Sequence, residues 1–178
     1  MEKKQLIFFY PSFERGGATK ILVRVINYLL TKNIEIFLFS CNASYKDFIT
    51  SKKLTITGPN IKNKSRLYFN LITTINLLKF LIRNNEKNTI FSFQSHLPAI
   101  FIAKFFQKKI IIRNSEEIFG ATRYADKKVY AFITLMLKAV FYNLADVIIA
   151  ISKKSKKFLE KIIINKNKIK LIYNPYLL

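Results

Sequence analysis

The fold is decided by residues 6–30, which read LIFFYPSFERGGATKILVRVINYLL. Leu6–Tyr10 is almost continuously apolar, as the central strands of parallel sheets are, and Pro11 is predicted to end this strand. Gly16 and Gly17 then open a helix. In it, apolar residues recur four apart and predict one buried face: Ile21, Leu22, Val25, Ile26, Leu29 and Leu30. A strand, a glycine turn and a helix in this order predict the first unit of an α/β sheet.

The same alternation of apolar runs and helical patterns continues along the chain. It predicts six further strands, at Glu35–Ser40, Leu54–Thr57, Thr89–Phe93, Ile110–Ile112, Val147–Ile151 and Ile169–Tyr173. It predicts four further helices and a polar loop, the helices at Ser65–Arg83, Pro98–Phe106, Lys127–Leu144 and Ser152–Ile163 and the loop at Asn114–Asp126. The helix at Ser65–Arg83 is amphipathic, with an apolar stripe formed by Leu67, Leu71, Ile75, Leu78 and Ile82.

Together these elements predict one α/β domain over residues 1–178. Its fold class is a Rossmann-like, doubly wound, mostly parallel sheet of about seven strands, with helices on both faces. A chain of 178 residues is long enough to bury a sizeable core, and no linker or internal repeat divides it.

The charge balance favours anionic partners. The 31 Lys and Arg residues against 10 Asp and Glu give a net charge of +21, which suits nucleic acid, anionic lipid or phosphorylated substrates, unless it reflects compositional bias alone. The single cysteine, Cys41, excludes an internal disulfide and fits a reducing compartment. The short apolar start does not resemble a signal peptide, and no apolar run is long enough to span a bilayer. A cytoplasmic protein is expected, with any membrane contact made from the surface.

Ligands of such sheets bind at the carboxyl ends of the strands. Four segments follow predicted strands there: Pro11–Gly17, Gln94–Pro98, Arg113–Glu117 and Ser152–Lys154. Gly16 and Gly17 would let a phosphate approach the backbone at a helix start, or form only a tight turn. The dinucleotide-binding and P-loop glycine patterns are absent.

His96 is the only histidine of the chain. It could act as a general base or bind a sugar hydroxyl, with Gln94 beside it, or have no functional role. No metal is expected, since a lone histidine without a cysteine or carboxylate cluster does not form a metal site. Arg113, Asn114 and Glu116 follow the fifth strand and are expected to contact a ligand. Glu116 and Glu117 are adjacent and would point apart, which argues against the paired carboxylates of a hydrolase.

The segment Lys153–Lys170 contains eight lysines and one glutamate. It is either a solvated face or, with the region around Arg66 and Lys79, a surface attracted to anionic lipid. Nucleic acid is not expected as a partner, because no binding signature appears and the aromatic residues follow core periodicity.

Three motifs in order resemble family-four glycosyltransferases of the GT-B fold. The first is FFYPS at residues 8–12, followed by Gly16-Gly17-Ala18 and a leucine-rich helix. The second is ADVIIAIS at residues 145–152, and the third is KIKLIYNP at residues 168–175, which resembles the end of the first domain of these enzymes. The resemblance covers essentially the whole chain and identifies it as the N-terminal, acceptor-side domain.

The resemblance implies transfer of a sugar from a nucleotide-diphosphate donor to a lipid-linked or polysaccharide acceptor, without a further cofactor. It gives Gly16 and Gly17 a role at the donor diphosphate. It gives the acceptor side of the cleft to Arg15, Gln94, His96, Arg113, Asn114 and Glu116. Many relatives have a histidine directly after the fifth strand, where this chain has Arg113-Asn114-Ser115, so the usual candidate base is missing.

The family's donor-binding C-terminal domain, with its pair of glutamates, is expected to be absent from residues 1–178. Little activity is then expected from the chain alone, and a separate polypeptide could supply the missing domain. The alternative is a non-catalytic module of the same fold that binds an acceptor or a membrane surface. An unrelated flavodoxin-like domain is disfavoured, because Pro11–Arg15 does not form a Ser/Thr- and Gly-rich phosphate loop.

Overall fold

The computed structural model describes residues 5–61, 64–84, 86, 88–115 and 128–174, and only the backbone of 128–132 and 134. Seven strands are present, in chain order β1 Gln5–Ser12, β2 Glu35–Cys41, β3 Leu54–Thr57, β4 Thr89–Ser92, β5 Lys109–Asn114, β6 Val147–Ala150 and β7 Ile169–Leu171. Five helices are described, α1 Gly17–Thr31, α2 Arg66–Arg83, α3 His96–Phe105, α4 Lys128–Tyr142 and α5 Lys153–Ile162. Single 3₁₀ turns lie at Tyr45–Asp47 and Lys166–Lys168.

The seven strands form one fully parallel sheet in the order β3-β2-β1-β4-β5-β6-β7. The core has two parts, one on each face of the sheet. On one face α1 packs against Phe8 and Tyr10 of β1. On the other face α2, α3, α4 and α5 pack against Ile7, Phe9 and the inward residues of β4 to β7. The Rossmann-like fold predicted from the sequence is confirmed.

Lys104 and Asp146 form a polar link between a helix and the sheet. Lys104 of α3 donates to both carboxylate oxygens of Asp146 at 2.9 Å, and the Ile110 amide donates to the same carboxylate at 2.8 Å. Asp146 therefore ties α3 to the start of β5, which gives the alanine-aspartate motif at residues 145–146 a structural role. Cys41 is buried at the end of β2, with its sulfur 3.5 Å from the Thr73 hydroxyl.

The boundaries differ from the predicted ones by a few residues. Pro11 does not end β1, which continues to Ser12 and pairs with Cys41 after an irregularity in the ladder. A proline lacks the amide donor but fits extended backbone, so the ladder is interrupted there while the strand goes on. Strand β5 also continues to Asn114, beyond the apolar run, and α3 begins at His96. Most of the predicted loop at Asn114–Asp126, including Gly120, lies outside the described residues.

The apolar stripe predicted for α2 is not its inner face. The buried residues of α2 are Phe69, Thr73, Leu77 and Leu81. The predicted stripe points away from the sheet, with Leu67 79% and Ile82 67% exposed. Helix α2 thus has apolar residues on both sides, and spacing alone cannot tell which side packs against the sheet.

Helices α1 and α5 agree with their patterns. In α1 the residues Ile21, Leu22, Ile26 and Leu30 are buried, and Val25 and Leu29 are half-buried beside them. In α5 the Ser152 hydroxyl caps the helix by accepting from the Ser155 amide at 3.0 Å, and Leu159 is buried against the sheet.

Candidate functional site

The candidate site lies where the strand order reverses direction. β1 pairs with both β2 and β4, so the chain leaves β1 towards one side and β4 towards the other. Helix α1 follows β1 on one face, and α3 follows β4 on the opposite face. In open α/β sheets a crevice forms between the carboxyl ends of two such strands, and ligands bind there.

The glycine turn after β1 borders open space. A Cβ atom added to Gly16 or Gly17 would meet no atom within 4 Å. Gly16 precedes α1 without a side-chain cap, and no acidic residue occupies the first turn of the helix. The amides at the start of α1 thus have neither a side-chain cap nor an acidic residue in the first turn of the helix, a setting that favours an anion.

The cleft beside this turn is large and basic. Its volume is about 950 Å³, and its charged lining residues are Arg15, Lys20, Arg24 and Asp47. Lys20 lies in the first turn of α1, where a positive charge is unfavourable next to the helix dipole unless an anion is present. Of the predicted site residues, Arg15, Gly16 and Gly17 are thus brought together.

Glu14 holds the turn in shape. The Ser12 hydroxyl donates to Glu14 Oε1 at 2.8 Å, and Arg66 of α2 donates to Glu14 Oε2 at 3.2 Å. These contacts, that of Ser12 first, lower the pKa of the Glu14 carboxyl below its ordinary value of 4.5. The Thr19 hydroxyl donates to the Glu14 carbonyl, so the Tyr10 hydroxyl donates in turn to Thr19 at 2.8 Å. Glu14 was not predicted from the sequence, because its partner Arg66 is far away in the chain.

His96 lies in a second, smaller cavity of about 200 Å³. Its lining comes from three helices and the turn before α3: Asn70, Ser95, His96, Leu97, Pro98, Lys138 and Tyr142. None of these residues lines the glycine cleft, so the two predicted site regions occupy separate cavities. Ser95 adopts a left-handed conformation with φ 53° and donates its hydroxyl to Asn70 at 2.7 Å, which fixes the entrance to α3.

A buried serine holds the ring of His96. The Ser92 hydroxyl lies 3.1 Å from the Gln94 carbonyl and 2.8 Å from His96 Nδ1. A hydrogen bond between this hydroxyl and Nδ1 fixes the position of the imidazole ring in the cavity. The His96 ring packs edge-on against Tyr142 at 5.7 Å. Ser92, fully buried four residues before His96, was not predicted from the sequence.

Arg113 is a buried cation without a carboxylate partner in the described part of the chain. Its side chain is 5% exposed, lies 5.1 Å from the centre of the Phe93 ring and donates from Nη2 to Asn174 Oδ1 at 2.6 Å. Its Nη1 has no hydrogen-bond partner among the described residues. Burial lowers the pKa of the guanidinium, and nearby Tyr10 opposes this shift.

The predicted group after β5 is divided by the sheet. Successive strand residues point to opposite faces, so Arg113 faces Phe93 while Asn114 donates to the Ser155 hydroxyl of α5 at 3.2 Å. The side-chain oxygen of Gln94, next to Phe93 in the chain, is buried and finds no hydrogen-bond partner in the part of the chain that the structure describes. Glu116 and Glu117 lie outside the described residues. That their carboxylates point apart therefore stays a prediction. Within the described ranges, no three His, Cys, Asp or Glu side chains form a group that could hold a metal ion.

This fold and this crevice define a class, the Rossmann-like α/β domains in which ligands bind at the carboxyl ends of the strands. The family model described as Glycosyltransferase Family 4 matches residues 15–176. The chain therefore belongs to this family, as its N-terminal domain. No curated protein sequence matches the chain significantly.

Three solved structures show the same fold at low sequence identity. Anabaena HepE, solved in complex with UDP and glucose, has a TM-score of 0.61 and 14% identity, with 97% of this chain and 45% of that chain covered. The lipopolysaccharide outer core galactosyltransferase WaaB, in its apo form, has a TM-score of 0.57 and 18% identity, with 97% of this chain and 46% of that chain covered. A UDP-GlcNAc 2-epimerase from Methanocaldococcus jannaschii has a TM-score of 0.61 and 15% identity, with 96% of this chain and 45% of that chain covered. The chain thus spans less than half the length of each.

Proposed function

We propose that this domain is the acceptor side of a glycosyltransferase that moves a sugar from a nucleotide-diphosphate donor to a lipid-linked or polysaccharide acceptor. The observation that supports it most is the glycine cleft, where uncapped amides and the cations Arg15 and Lys20 surround space that no side chain fills. HepE of the same fold binds UDP. None of the observations favours the alternative of a non-catalytic binding module.

In this proposal the donor diphosphate lies at the start of α1. The amides after Gly16 would donate to phosphate oxygens, and Lys20 would balance their charge. As the bond from the anomeric carbon to the diphosphate breaks, negative charge grows on the leaving oxygen, and the same groups would stabilise it.

We assign the acceptor to the crevice and to the His96 cavity. His96 lines this cavity, and an imidazole can accept a hydrogen bond, and then the proton, from an acceptor hydroxyl. Arg113, buried and with an unpaired Nη1, supplies a charge that would orient an anionic group of the acceptor. Gln94 would belong to the side of Arg113, and Asn114, which faces α5, to the opposite side of the sheet, where α3 lies.

We further propose that most of the donor's nucleotide and sugar is held by a second domain, which a separate polypeptide or a longer chain would supply. The support is the coverage of less than half of each similar structure. A domain that binds only one end of the donor cannot fix its orientation, and orientation supplies much of the rate. The 178-residue chain alone is expected to transfer little or no sugar.

A titration of this chain with UDP tests the glycine cleft. Gly17→Val is expected to weaken UDP binding by about tenfold or more, because a branched side chain would stand between the ligand and the helix amides. Unfolding should change little, since a Cβ atom added at Gly17 meets no atom within 4 Å beyond its chain neighbours and the backbone of its own helix. Ile164→Val, at a surface position far from the cleft, is the control. Unchanged UDP affinity in Gly17→Val would contradict the placement of the diphosphate.

A transfer assay tests the reaction. Labelled UDP-glucose and membrane extracts are mixed with this chain, with a candidate second-domain polypeptide, or with both. Transfer is expected only from the mixture of both, and His96→Asn should reduce it while leaving UDP binding unchanged. Absence of transfer from the mixture across several nucleotide sugars would count against the proposed function.

A further inference from the structure

The outward side of three neighbouring helices is apolar. Helix α2 contacts α3, and α3 contacts α4. The large hydrophobic side chains that these helices expose to solvent are Leu67, Leu71, Ile75, Leu78, Ile82, Phe101, Phe105, Ile133, Met136, Leu137, Val140 and, just after α4, Leu144. We call this surface the outer helical face. Soluble monomers rarely expose so many large apolar side chains on adjoining elements, and such surfaces usually bind something.

The charges of these helices have one sign only. Neither α2, α3 nor α4 contains an aspartate or a glutamate. Their basic residues are Arg66, Lys79, Arg83, Lys104, Lys128 and Lys138, of which Lys79 and Arg83 are exposed beside the apolar residues of α2. A partner of this face must therefore offer apolar surface and negative charge together.

Helix α5 is also basic, but unlike the outer helical face it exposes no apolar side chains. Its lysines 153, 154, 157 and 161 are exposed, but Leu159 is buried, Ile162 is half-buried against the core, and Phe158 is half-buried. This helix presents charge without exposed apolar residues, as a solvated face does. Of the two lysine-rich regions noted in the sequence, only the region around α2 combines both properties.

The same three helices enclose the His96 cavity. Asn70 comes from α2, His96 from the first residue of α3, and Tyr142 from the end of α4. A substrate anchored in a layer beneath the outer helical face could therefore reach this cavity while its anchor stays in place. Among the residues described, no helix is long and apolar enough to cross a membrane.

We propose that the outer helical face lies on the surface of an anionic lipid bilayer and that the His96 cavity takes the headgroup of a lipid-anchored acceptor. The part concerning the acceptor rests on the proposed function. The apolar side chains would enter the interface between headgroups and acyl chains, and Lys79 and Arg83 would lie among the anionic headgroups.

Sedimentation of the full chain with vesicles tests the apolar part of this face. Vesicles of phosphatidylcholine with phosphatidylglycerol are expected to bind the chain, and vesicles of phosphatidylcholine alone to bind it much less. The triple variant Leu67→Ser, Leu71→Ser, Ile82→Ser should lose more than about tenfold in partitioning, because three exposed apolar side chains no longer insert. The matched control replaces Tyr28, Ile49 and Ile164, exposed elsewhere, by serine and should bind like the original chain.

A second pair of variants tests the charges at equal net charge. Lys79→Gln with Arg83→Gln should weaken binding to phosphatidylglycerol vesicles by about tenfold, whereas Lys157→Gln with Lys161→Gln on α5 should change it little. Equal losses in the two pairs would mean that binding follows total charge alone, and would overturn the proposal. Circular dichroism of each variant verifies that the fold is kept.

Two further outcomes are decisive. If the chain binds neither kind of vesicle but forms oligomers that the triple serine variant of α2 abolishes, the face is a protein interface and the proposal is wrong. Vesicle binding requires no nucleotide sugar. A chain that binds vesicles but transfers no sugar with any second domain would therefore refute the proposed function and leave the bilayer contact supported. A chain that transfers sugar but does not bind vesicles would refute the bilayer contact and leave the proposed function supported.

Discussion

Two glycine turns at the same edge of the sheet differ in what surrounds them. After β3, a Cβ atom added to Gly58 would collide with the backbone carbonyl of Ser40. After β1, Gly16 and Gly17 have no neighbouring atom within 4 Å of such a Cβ. The fold itself requires glycine at position 58, whereas no contact within the described part of the chain requires it at positions 16 and 17. The proposed diphosphate at the start of α1 would account for glycine at these two positions.

The largest effect is expected at Gly58. Gly58→Ala should lower the free energy of unfolding by about 3 kcal/mol, because relieving the collision moves the backbone of β2 or β3. Gly16→Ala, the matched change at the open turn, should alter it by less than about 0.5 kcal/mol. Urea denaturation measures both values. Similar losses in the two variants would remove the distinction between the turns.

Arg113 is a side chain at which the same question can be asked, namely whether the fold requires it. Arg113→Met should leave the free energy of unfolding unchanged or raise it by about 1 kcal/mol, since it removes a buried charge that has no carboxylate partner and keeps most of the volume. Arg113→Ala should destabilise, because it leaves a cavity beside Phe93. Thermal unfolding of both variants gives the answer. If methionine destabilises as much as alanine, the fold needs the guanidinium and a role in binding loses its support.

The smallest effect concerns the residue that shapes the open turn. The pKa of Glu14 is lower in the folded chain than in the unfolded one. Its ionised form therefore stabilises the fold above the unfolded pKa, and this contribution is lost as the pH falls through the folded pKa. Because its side chain is half exposed, Glu14→Gln should cost only about 0.5 kcal/mol at neutral pH and nothing in strong acid.

Unfolding curves of Glu14→Gln, Arg66→Gln and the double variant, recorded from neutral to acid pH, make this measurement. The double variant should lose no more than either single one, since each breaks the same pair. A loss in Glu14→Gln that does not change with pH would show that the carboxylate charge is irrelevant.

The sheet could be predicted from the sequence because its central strands are buried on both faces. All seven apolar runs became strands, and the order of glycine turn and helix placed α1 correctly. The strand ends were harder to predict, since Arg113 and Asn114 are polar and continue β5 through backbone pairing with Ile149 and Ala150 of β6, partners that are distant in the chain.

The inner face of α2 could not be predicted for a similar reason. Its buried stripe includes Thr73, a residue that apolar periodicity overlooks, and the Thr73 hydroxyl lies 3.5 Å from the Pro11 carbonyl that it bonds in the core. At the site, the glycine turn was visible as a local pattern. Glu14 with Arg66 and Ser92 with His96 were not, because the first pair is distant in sequence and the second depends on a buried hydroxyl.

The lone sulfhydryl of the chain gives it a natural reporter of conformational opening. Because Cys41 is fully shielded at the end of β2, a thiol-reactive dye can label it only when the central strands separate. The labelling rate of the unmodified chain therefore measures how often its core opens. A second thiol placed at any exposed position would react first and mark that position selectively.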